Sequence, residues 1–343
     1  MESSVIVRFR PAGPWRPGSE SGVRHLVDRV FHSDALYSAV THALSRLGML
    51  EEWLAATALA PDGSAVRFTS LFPCLGATLF VIPPLSVWPP TAPSKVRWKG
   101  ARFVPLPLVN HLLAGETLDE DHWVVDGHSQ CLLSREESQR SPGPVRVALR
   151  PHAAVDRVRR SALPHATACL EFAPEAGLWG VVAFASHEAR ERWHGPVTAA
   201  LRLLGDSGLG GERSLGWGRA DSVEFEARSP EDYLQQVPRA DSPQAGMSTR
   251  AYWLLSLFSP APFDEIDWGQ GSYFLVTREG RVESPAGRGE EKKNVRMVAE
   301  GSVLHALTAP AGAARDVAPD GFPHPVWRSG FAFALPLPEG GAA

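Results

Sequence analysis

Five glycines fall within residues 208–218, in the run Gly208-Leu209-Gly210-Gly211-Glu212-Arg213-Ser214-Leu215-Gly216-Trp217-Gly218, and Arg219 follows directly. Without a Cβ, glycine takes positive φ and lets a ligand approach the backbone, so such a run can turn successive N–H groups toward an anion. The chemistry on offer is phosphate binding. Gly210, Gly211 and Ser214 supply backbone N–H groups, Arg213 and Arg219 supply charge, and Trp217 offers a face for stacking a base. Two familiar phosphate loops are excluded by spacing. A P-loop ends in Gly-Lys-Ser/Thr, where this chain has Gly216-Trp217-Gly218; a dinucleotide fingerprint needs glycine at the place of Arg213 and opens a helix after a strand. A tight glycine-rich connection without any ligand is the plainer alternative.

The twelve histidines raise a second chemistry, because metal-independent RNA cleavage uses a histidine to take the 2′-OH proton. His32, in His32-Ser33-Asp34 at the head of a helical pattern, is the best-placed candidate. No second His, Lys or Tyr stands at a spacing that compels a catalytic pair. His32 therefore reads as an RNA contact or as a helix-start residue bonded to backbone, Ser33 as an RNA contact or a cap, and Asp34 as a cap. Asp119-Glu120-Asp121-His122 has oxygen donors that a divalent cation accepts, and reads more simply as a solvated loop. Arg157 is either the partner of Asp156 or an RNA contact.

These groups need elements to hold them. Val5, Val7 and Phe9 alternate with Ile6, Arg8 and Arg10, a period-2 strand whose open face carries arginine. After a Gly/Pro/Ser-rich loop, Leu36, Val40, Leu44 and Leu47 recur on one side of a helix that Gly48 ends. Residues 67–71 and 77–82 read as strands, broken by Pro73 and closed by Pro83-Pro84. Residues 167–172 and 178–184 read as a hairpin, and 187–204 as a helix leading into the glycine run and a strand over 221–225. The β-α-β-β and β-α-β order predicts a ferredoxin-like α+β sheet with a long insertion. That insertion, acidic from Glu116 to Glu137, reads as an arm outside the core. Polar residues 228–249 mark a domain boundary, with a second strand-rich unit beyond.

Composition agrees with a loop-rich α+β protein: 343 residues, 44% hydrophobic, with 30 Pro, 31 Gly and 11 Trp, enough for two domains that each bury a core. Cys74, Cys131 and Cys169 form no CxxC pair and read as reduced packing residues. No secretory leader precedes the first strand and no apolar run reaches the ~18–20 residues of a membrane helix, so the cytoplasm is the expected compartment. A net charge of −4 gives no general basic excess for seizing nucleic acid. Charge is segregated instead. Lys95, Arg97, Lys99 and Arg102 fall together without an acid, residues 138–170 hold six arginines against Asp156, and residues 116–137 hold seven acids against Arg135. Either a basic groove with Arg8, Arg10, Lys95, Arg97 and Lys99 as its track, or ordinary solvated faces, would produce this pattern.

The glycine run resembles the signature loop of the RAMP superfamily of CRISPR proteins. Five further segments are similar to its Cas-five group as found in type III-A Csm effector complexes: Phe31 to Val40 (FHSDALYSAV), Ala154 to Arg157 (AVDR), Tyr252 to Pro260 (YWLLSLFSP), Lys292 to Val303 (KKNVRMVAEGSV) and His324 to Pro336 (HPVWRSGFAFALP). They keep the family's order over nearly the whole chain. The resemblance implies two ferredoxin-like (RRM-like) domains, here 1–227 and 250–343, with an inserted hairpin thumb for which residues 118–147 are the candidate. It implies a non-catalytic subunit that binds the 5′ repeat-derived tag of the crRNA and joins a Cas-ten-type large subunit to the backbone subunits of a hetero-oligomeric ribonucleoprotein, without metal or organic cofactor. A metal-independent CRISPR endoribonuclease processing precursor crRNA is the competing expectation, and a scaffold with protein contacts alone is the third. The acidity of the insert departs from a thumb laid against RNA phosphates.

Overall fold

The computed structural model describes residues 3–18, 23–90, 95–156, 158–228, 232, 234, 249–284 and 287–338. The chain opens with β1 (Ser3–Pro11), where strand alternation sends Val5, Val7 and Phe9 into one core cluster and Ile6 into another. Helices α1 (Ser33–Arg46) and α2 (Leu50–Ala56) follow, then the short strands β2 (Val66–Phe68), β3 (Phe72–Leu75) and β4 (Thr78–Val81). Leu36, Val40, Ala43 and Leu44 recur at helical spacing on α1 and bury against the Val5, Val7 and Phe9 face. The helix starts one residue earlier than its expected cap: His32 is the N-cap, without a side-chain capping bond, and Ser33 and Asp34 are already helical.

The next stretch carries α3 (Lys95–Trp98), β5 (Val104–Pro105), α4 (Leu108–Leu113), β6 (Trp123–Val125), β7 (Leu132–Ser134) and α5 (Arg135–Arg140), the last begun by a capping box between Ser134 and Glu137. The acidic segment is therefore not the projecting arm expected at 118–147. Between its acids stand Leu118, Trp123, Val125, Cys131, Leu132 and Leu133, which pack with Phe103, Val104 and Trp179, while Glu116, Asp119, Glu120 and Asp121 stay exposed. Its carboxylates disguise a segment with its own apolar face.

The hairpin that does project is β8 (Val145–Asp156) with β9 (Ser161–Phe172), paired from Val145↔Phe172 to Asp156↔Ser161. Its foot is tied down by Trp15, which exchanges backbone hydrogen bonds with Leu170 at 3.0 and 2.7 Å. Its outer half is open, with Leu163 71% and Val158 92% exposed. One face is apolar along its length, Val147, Leu149 and Val155 standing opposite Leu170, Ala168 and Ala162.

Strand β10 (Ala176–Phe184) is buried at every position; α6 (His187–Ser207) and β11 (Ala220–Glu226) complete the first unit. Its seven strands run β11-β1-β10-β3-β4-β5, with β2 also pairing β10. Helix α6 lays Trp193, Val197, Ala200 and Leu201 beside α1 on one face of the sheet. The second unit supplies cover for the other face, which is why β10 is apolar throughout and does not alternate.

That second unit contains β12 (Arg250–Leu254), β13 (Ile266–Ser272), β14 (Leu275–Arg278), β15 (Arg281–Ser284), β16 (Gly287–Glu291), β17 (Val295–Val298), β18 (Val303–Ala306), β19 (Arg315–Asp316), β20 (Trp327–Arg328) and β21 (Ala334–Pro336). Four of them form a sheet in the order β13-β18-β12-β21. Counted along the chain this is second-third-first-fourth, and β3-β10-β1-β11 in the first unit repeats it. The cover differs, because among the described residues 249–338 form no α-helix; where α1 and α6 stand in the first unit there are loops, one of them carrying the β19–β20 pair. The expected boundary, 228–249, lies outside the described residues apart from Arg228, Asp232, Leu234 and Thr249.

The two units share a core. Trp253, Leu255, Val303, Phe333 and Leu335 pack with Phe72, Trp179 and Val181; Ser70 N–H donates to Leu255 O at 2.9 Å and Trp253 Nε1 to Ile82 O at 3.2 Å. Cys74, Cys131 and Cys169 are buried and unbridged, and burial pushes the Cys74 thiol up to about 11. Among the described residues no helix is long and apolar enough to cross a membrane.

Candidate functional site

The connection from α6 to β11 lies against the segment that follows β1. Gly210 and Gly218 have φ of 86° and 79°. A Cβ on Gly218 would overlap the Leu209 carbonyl and one on Gly210 the Arg16 carbonyl, so both positions demand glycine because backbone meets backbone there. Gly211 N–H donates to Arg16 O, and Gly218 N–H to Pro14 O, each at 2.9 Å. The Gly211 N–H is thus spent on the fold and not held out to a phosphate. Arg213–Leu215 make one 3-10 turn, on which Arg213 and Ser214 are exposed. Trp217, 8% exposed, lies with its ring centroid 6.0 Å from that of His152 on β8, packing the hairpin against the loop rather than presenting a face to a base. Arg219 donates from Nε to Asp206 O at 2.7 Å, satisfying a carbonyl at the end of α6.

Between this loop, the first turns of α1 and the second unit lies a cleft of about 280 Å³. Gly208, Leu209, Gly210 and Arg213 form one wall, Ala35, Ser38 and His42 another, and Arg278, Glu279, Glu283, Lys292, Trp327 and Arg328 the third. Arg213 spans it, its Nη2 2.7 and 2.9 Å from the two carboxylate oxygens of Glu283. Deeper in, the Asp34 carboxylate accepts from Arg278 at 3.1 and 3.0 Å and also from Arg328, all three side chains being buried. Burial pushes the Asp34 carboxyl up, but Arg278 and Arg328 outweigh it and hold it well below the usual carboxylate range. Lys292 is different: half-buried, it has no carboxylate within ion-pair distance among the described residues, and burial together with the Arg328 charge lowers its pKa.

His32 is buried beside this cluster, with Nδ1 2.7 Å from Glu300 Oε1 and Nε2 3.2 Å from Asp28 Oδ2. Burial alone pulls its pKa down; the Glu300 charge and the hydrogen bonds to Asp28 and Glu300 outweigh it and raise it to about 9. Glu300 also accepts from Ser70 Oγ, and Asp28 from Arg102 at 2.8 Å. Ser33 donates its N–H to Ser70 Oγ at 2.8 Å, and its own Oγ accepts from Leu257 N–H at 3.0 Å. His32 and Ser33 are therefore part of the joint between the units and present nothing to an RNA in solvent, unlike the contacts expected of them. An imidazolium bonded at both nitrogens has no lone pair with which to take a 2′-OH proton.

The expected basic track does not gather at the cleft. Arg8 and Arg10 line a separate depression of about 240 Å³, answered by Glu226 at 3.5 Å and Glu224 at 2.7 Å. Arg97 stands 3.8 Å from Glu120 with its guanidinium 5.2 Å from the Trp98 ring, and Lys99 is exposed next to it. Lys95 opens α3 with its side chain outside the described residues, and Arg157 lies outside them altogether. A larger hollow of about 780 Å³ sits at the hairpin foot, but its Arg146 and Arg150 both pair with Glu171. Asp119 accepts the Asp121 N–H at 2.9 Å and Arg135 stands 4.0 Å from Asp121; among the described residues no three His, Cys, Asp or Glu gather to hold a metal. Sequence reasoning missed the third wall of the cleft. Its only trace was the cations within the Lys292 to Val303 and His324 to Pro336 segments, to which no role was assigned.

Residues 247–337 match the family described as the CRISPR Csm4 C-terminal domain. The whole chain is similar in fold to a chain of the Csm3-Csm4 subcomplex of the type III-A CRISPR-Cas interference complex, with TM-score 0.64 and 15% identity over 97% of this chain and 99% of that one. It is similar also to a chain of the Csm1-Csm4 cassette in complex with cA4, with TM-score 0.56 and 18% identity over 98% of each chain. For the same cassette with pppApA the TM-score is 0.55 and the identity 17%, over 98% of this chain and 100% of that one. No curated protein sequence matches the chain.

Proposed function

We propose that this chain, whose residues 247–337 match the Csm4 C-terminal domain and whose fold is similar over nearly its whole length to chains of Csm4-containing assemblies, is a member of the Csm4 family and the guide-holding subunit of a type III CRISPR effector complex. It binds the 5′ repeat-derived tag of the crRNA in the cleft beside the glycine loop, and joins a Csm1-like large subunit to a Csm3-like backbone subunit within a cytoplasmic ribonucleoprotein of antiviral defence. The partner reading draws on the company the similar chains keep, Csm3 in one crystal and Csm1 in others. Both sheets read as ferredoxin-like, the first with its two helices and the second without, and the β8–β9 hairpin reads as the thumb.

The observation that carries the reading is the cleft, where a glycine-rich loop bearing Arg213 faces cations of the domain that the family match covers. Phosphates would be held there by charge, with bases splayed from a single strand read on their edges. Recognition of the target is left to base pairing by the guide. The state of His32 argues against the endoribonuclease alternative, since a buried imidazolium is no general base.

Tag-bearing repeat RNA, labelled and incubated in EDTA with the chain reconstituted with its large and backbone subunits, tests this directly. The expected result is retention of uncleaved RNA, weakened by about 1–2 kcal/mol in Arg213→Ala. Cleavage that disappears in His32→Ala would instead make the protein a nuclease, and RNA retention indifferent to the presence of this chain would make it a scaffold.

A further inference from the structure

We infer that Lys292 and Arg213 form a phosphate clamp across the cleft, which Glu283 closes in the free protein and one phosphodiester of the guide opens by taking the place of Glu283. The inference rests on the reading of the cleft as the RNA site and says where within it a phosphate sits.

Lys292 follows directly after β16, anchored by its own N–H to Gly280 O at 2.8 Å, and its side chain passes over Gly280 next to the Arg328 guanidinium. It lines the cleft half-withdrawn from water, yet no carboxylate stands within ion-pair distance among the described residues. A partly desolvated ammonium without a counter-ion is unfavourable, and an anion in the cleft relieves it. The two acids whose charge acts on it are committed elsewhere. Asp34 commits both oxygens to Arg278 and Arg328, and Glu283 commits both of its own to Arg213. Burial and the Arg328 charge work against the charged form of Lys292, and Asp34 and Glu283 support it only from beyond ion-pair distance.

The Arg213–Glu283 pair has the character of a latch rather than a lock. Its side chains are 37% and 57% exposed, where an ion pair is weak and readily exchanged. A phosphate offers Arg213 the same bidentate geometry as a carboxylate, with Lys292 on its other side as a second cation that Glu283 does not reach. Arg213 stands on the glycine loop, Glu283 on β15 and Lys292 just past β16, the strand that pairs with β15. The exchange therefore needs only side-chain rotation, and once made it ties the loop to the second unit through the RNA.

The test is guide affinity measured against salt, using the full chain assembled with its large and backbone subunits. Lys292→Gln is expected to lower affinity about 5–10-fold and to reduce the slope of log affinity against log salt by about 0.7, the loss of one single-strand phosphate contact. Lys292→Arg is expected to restore both, and Glu283→Gln to raise affinity about 2–5-fold by releasing Arg213. Assembly and melting temperature of each variant serve as the folding control; if Lys292→Gln fails it, the Glu283→Gln result decides. Unchanged affinity and slope in Lys292→Gln, or an unchanged or lowered affinity in Glu283→Gln, overturns the clamp. If Arg213→Ala still weakens binding in that case, only the clamp is lost; if Arg213→Ala is silent as well, the RNA reading of the cleft falls with it.

Discussion

Two groups of charges meet at the start of α1, and they are built on opposite plans. In the joint, Asp28, His32, Asp34, Arg278, Arg328 and Glu300 are closed off from water and bonded to one another across the two units. In the adjoining cleft, Arg213 and Glu283 hold each other at the surface, and among the described residues no carboxylate stands within ion-pair distance of Lys292. Buried charges must be paired to exist, so the first group specifies how the halves dock and leaves nothing to offer a ligand. The second group is poorly satisfied and reachable, which is the condition of a site waiting for an anion.

The sharpest way to break this contrast is to remove the carboxylate on which the joint converges. Asp34→Ala leaves two guanidiniums buried without a counter-charge and is expected to cost about 3–5 kcal/mol of stability, measured as a fall in the urea midpoint. A loss under ~1 kcal/mol would mean that the joint relaxes and is no lock.

A second effect comes from pH. His32 has a pKa raised from 6.5 to about 9 in the folded chain, so its contribution is complete below its unfolded pKa and is lost as pH rises through about 9, an effect of ~3 kcal/mol. Asp34 and Glu300 are held low, so their contribution is lost on the acid side, as pH falls through the lowered values. Denaturation between pH 6 and pH 10 should show falling stability in the parent and a flatter curve in His32→Gln; parallel curves would detach His32 from the joint.

Smaller still are the stability effects expected at the cleft and on the hairpin. Arg213→Ala and Leu163→Ser should each change unfolding free energy by no more than about 0.5 kcal/mol, because neither side chain belongs to a core cluster. For Arg213→Ala the weakened guide retention should appear without that loss, separating ligand contact from structure. A large destabilisation by either would show that its region is part of the packed body.

The elements that carry the first unit were readable because each has a strong local period: Val5, Val7 and Phe9 on β1, Leu36, Val40 and Leu44 on α1, and the helix leading into the glycine run. The glycines themselves were legible as a conformational demand, although Gly210 and Gly218 answer to the close approach of backbone as much as to any ligand. Composition misled at 118–147, where six acids hid the apolar side chains that hold the segment to the core, and the projecting hairpin begins only at Val145, after the last of them. The joint and the cleft were beyond local reading for a different reason. Asp34 meets Arg278 from 244 residues away and Arg328 from 294, and no periodicity within a segment encodes such a meeting. For the same reason His32 looked like a candidate base when its partner, Glu300, lies 268 residues on.

The account stands or falls on whether the tag lies in the cleft. Guide RNA carrying 4-thiouridine at each tag position in turn, assembled into the complex and cross-linked by long-wavelength light, would report the neighbouring peptides by mass spectrometry. At one or more tag positions the predicted cross-links fall on the glycine loop around Arg213 and on the Lys292 segment of the second unit together. Tag cross-links confined to the partner subunits, or to the β8–β9 hairpin with none at the cleft, would contradict it.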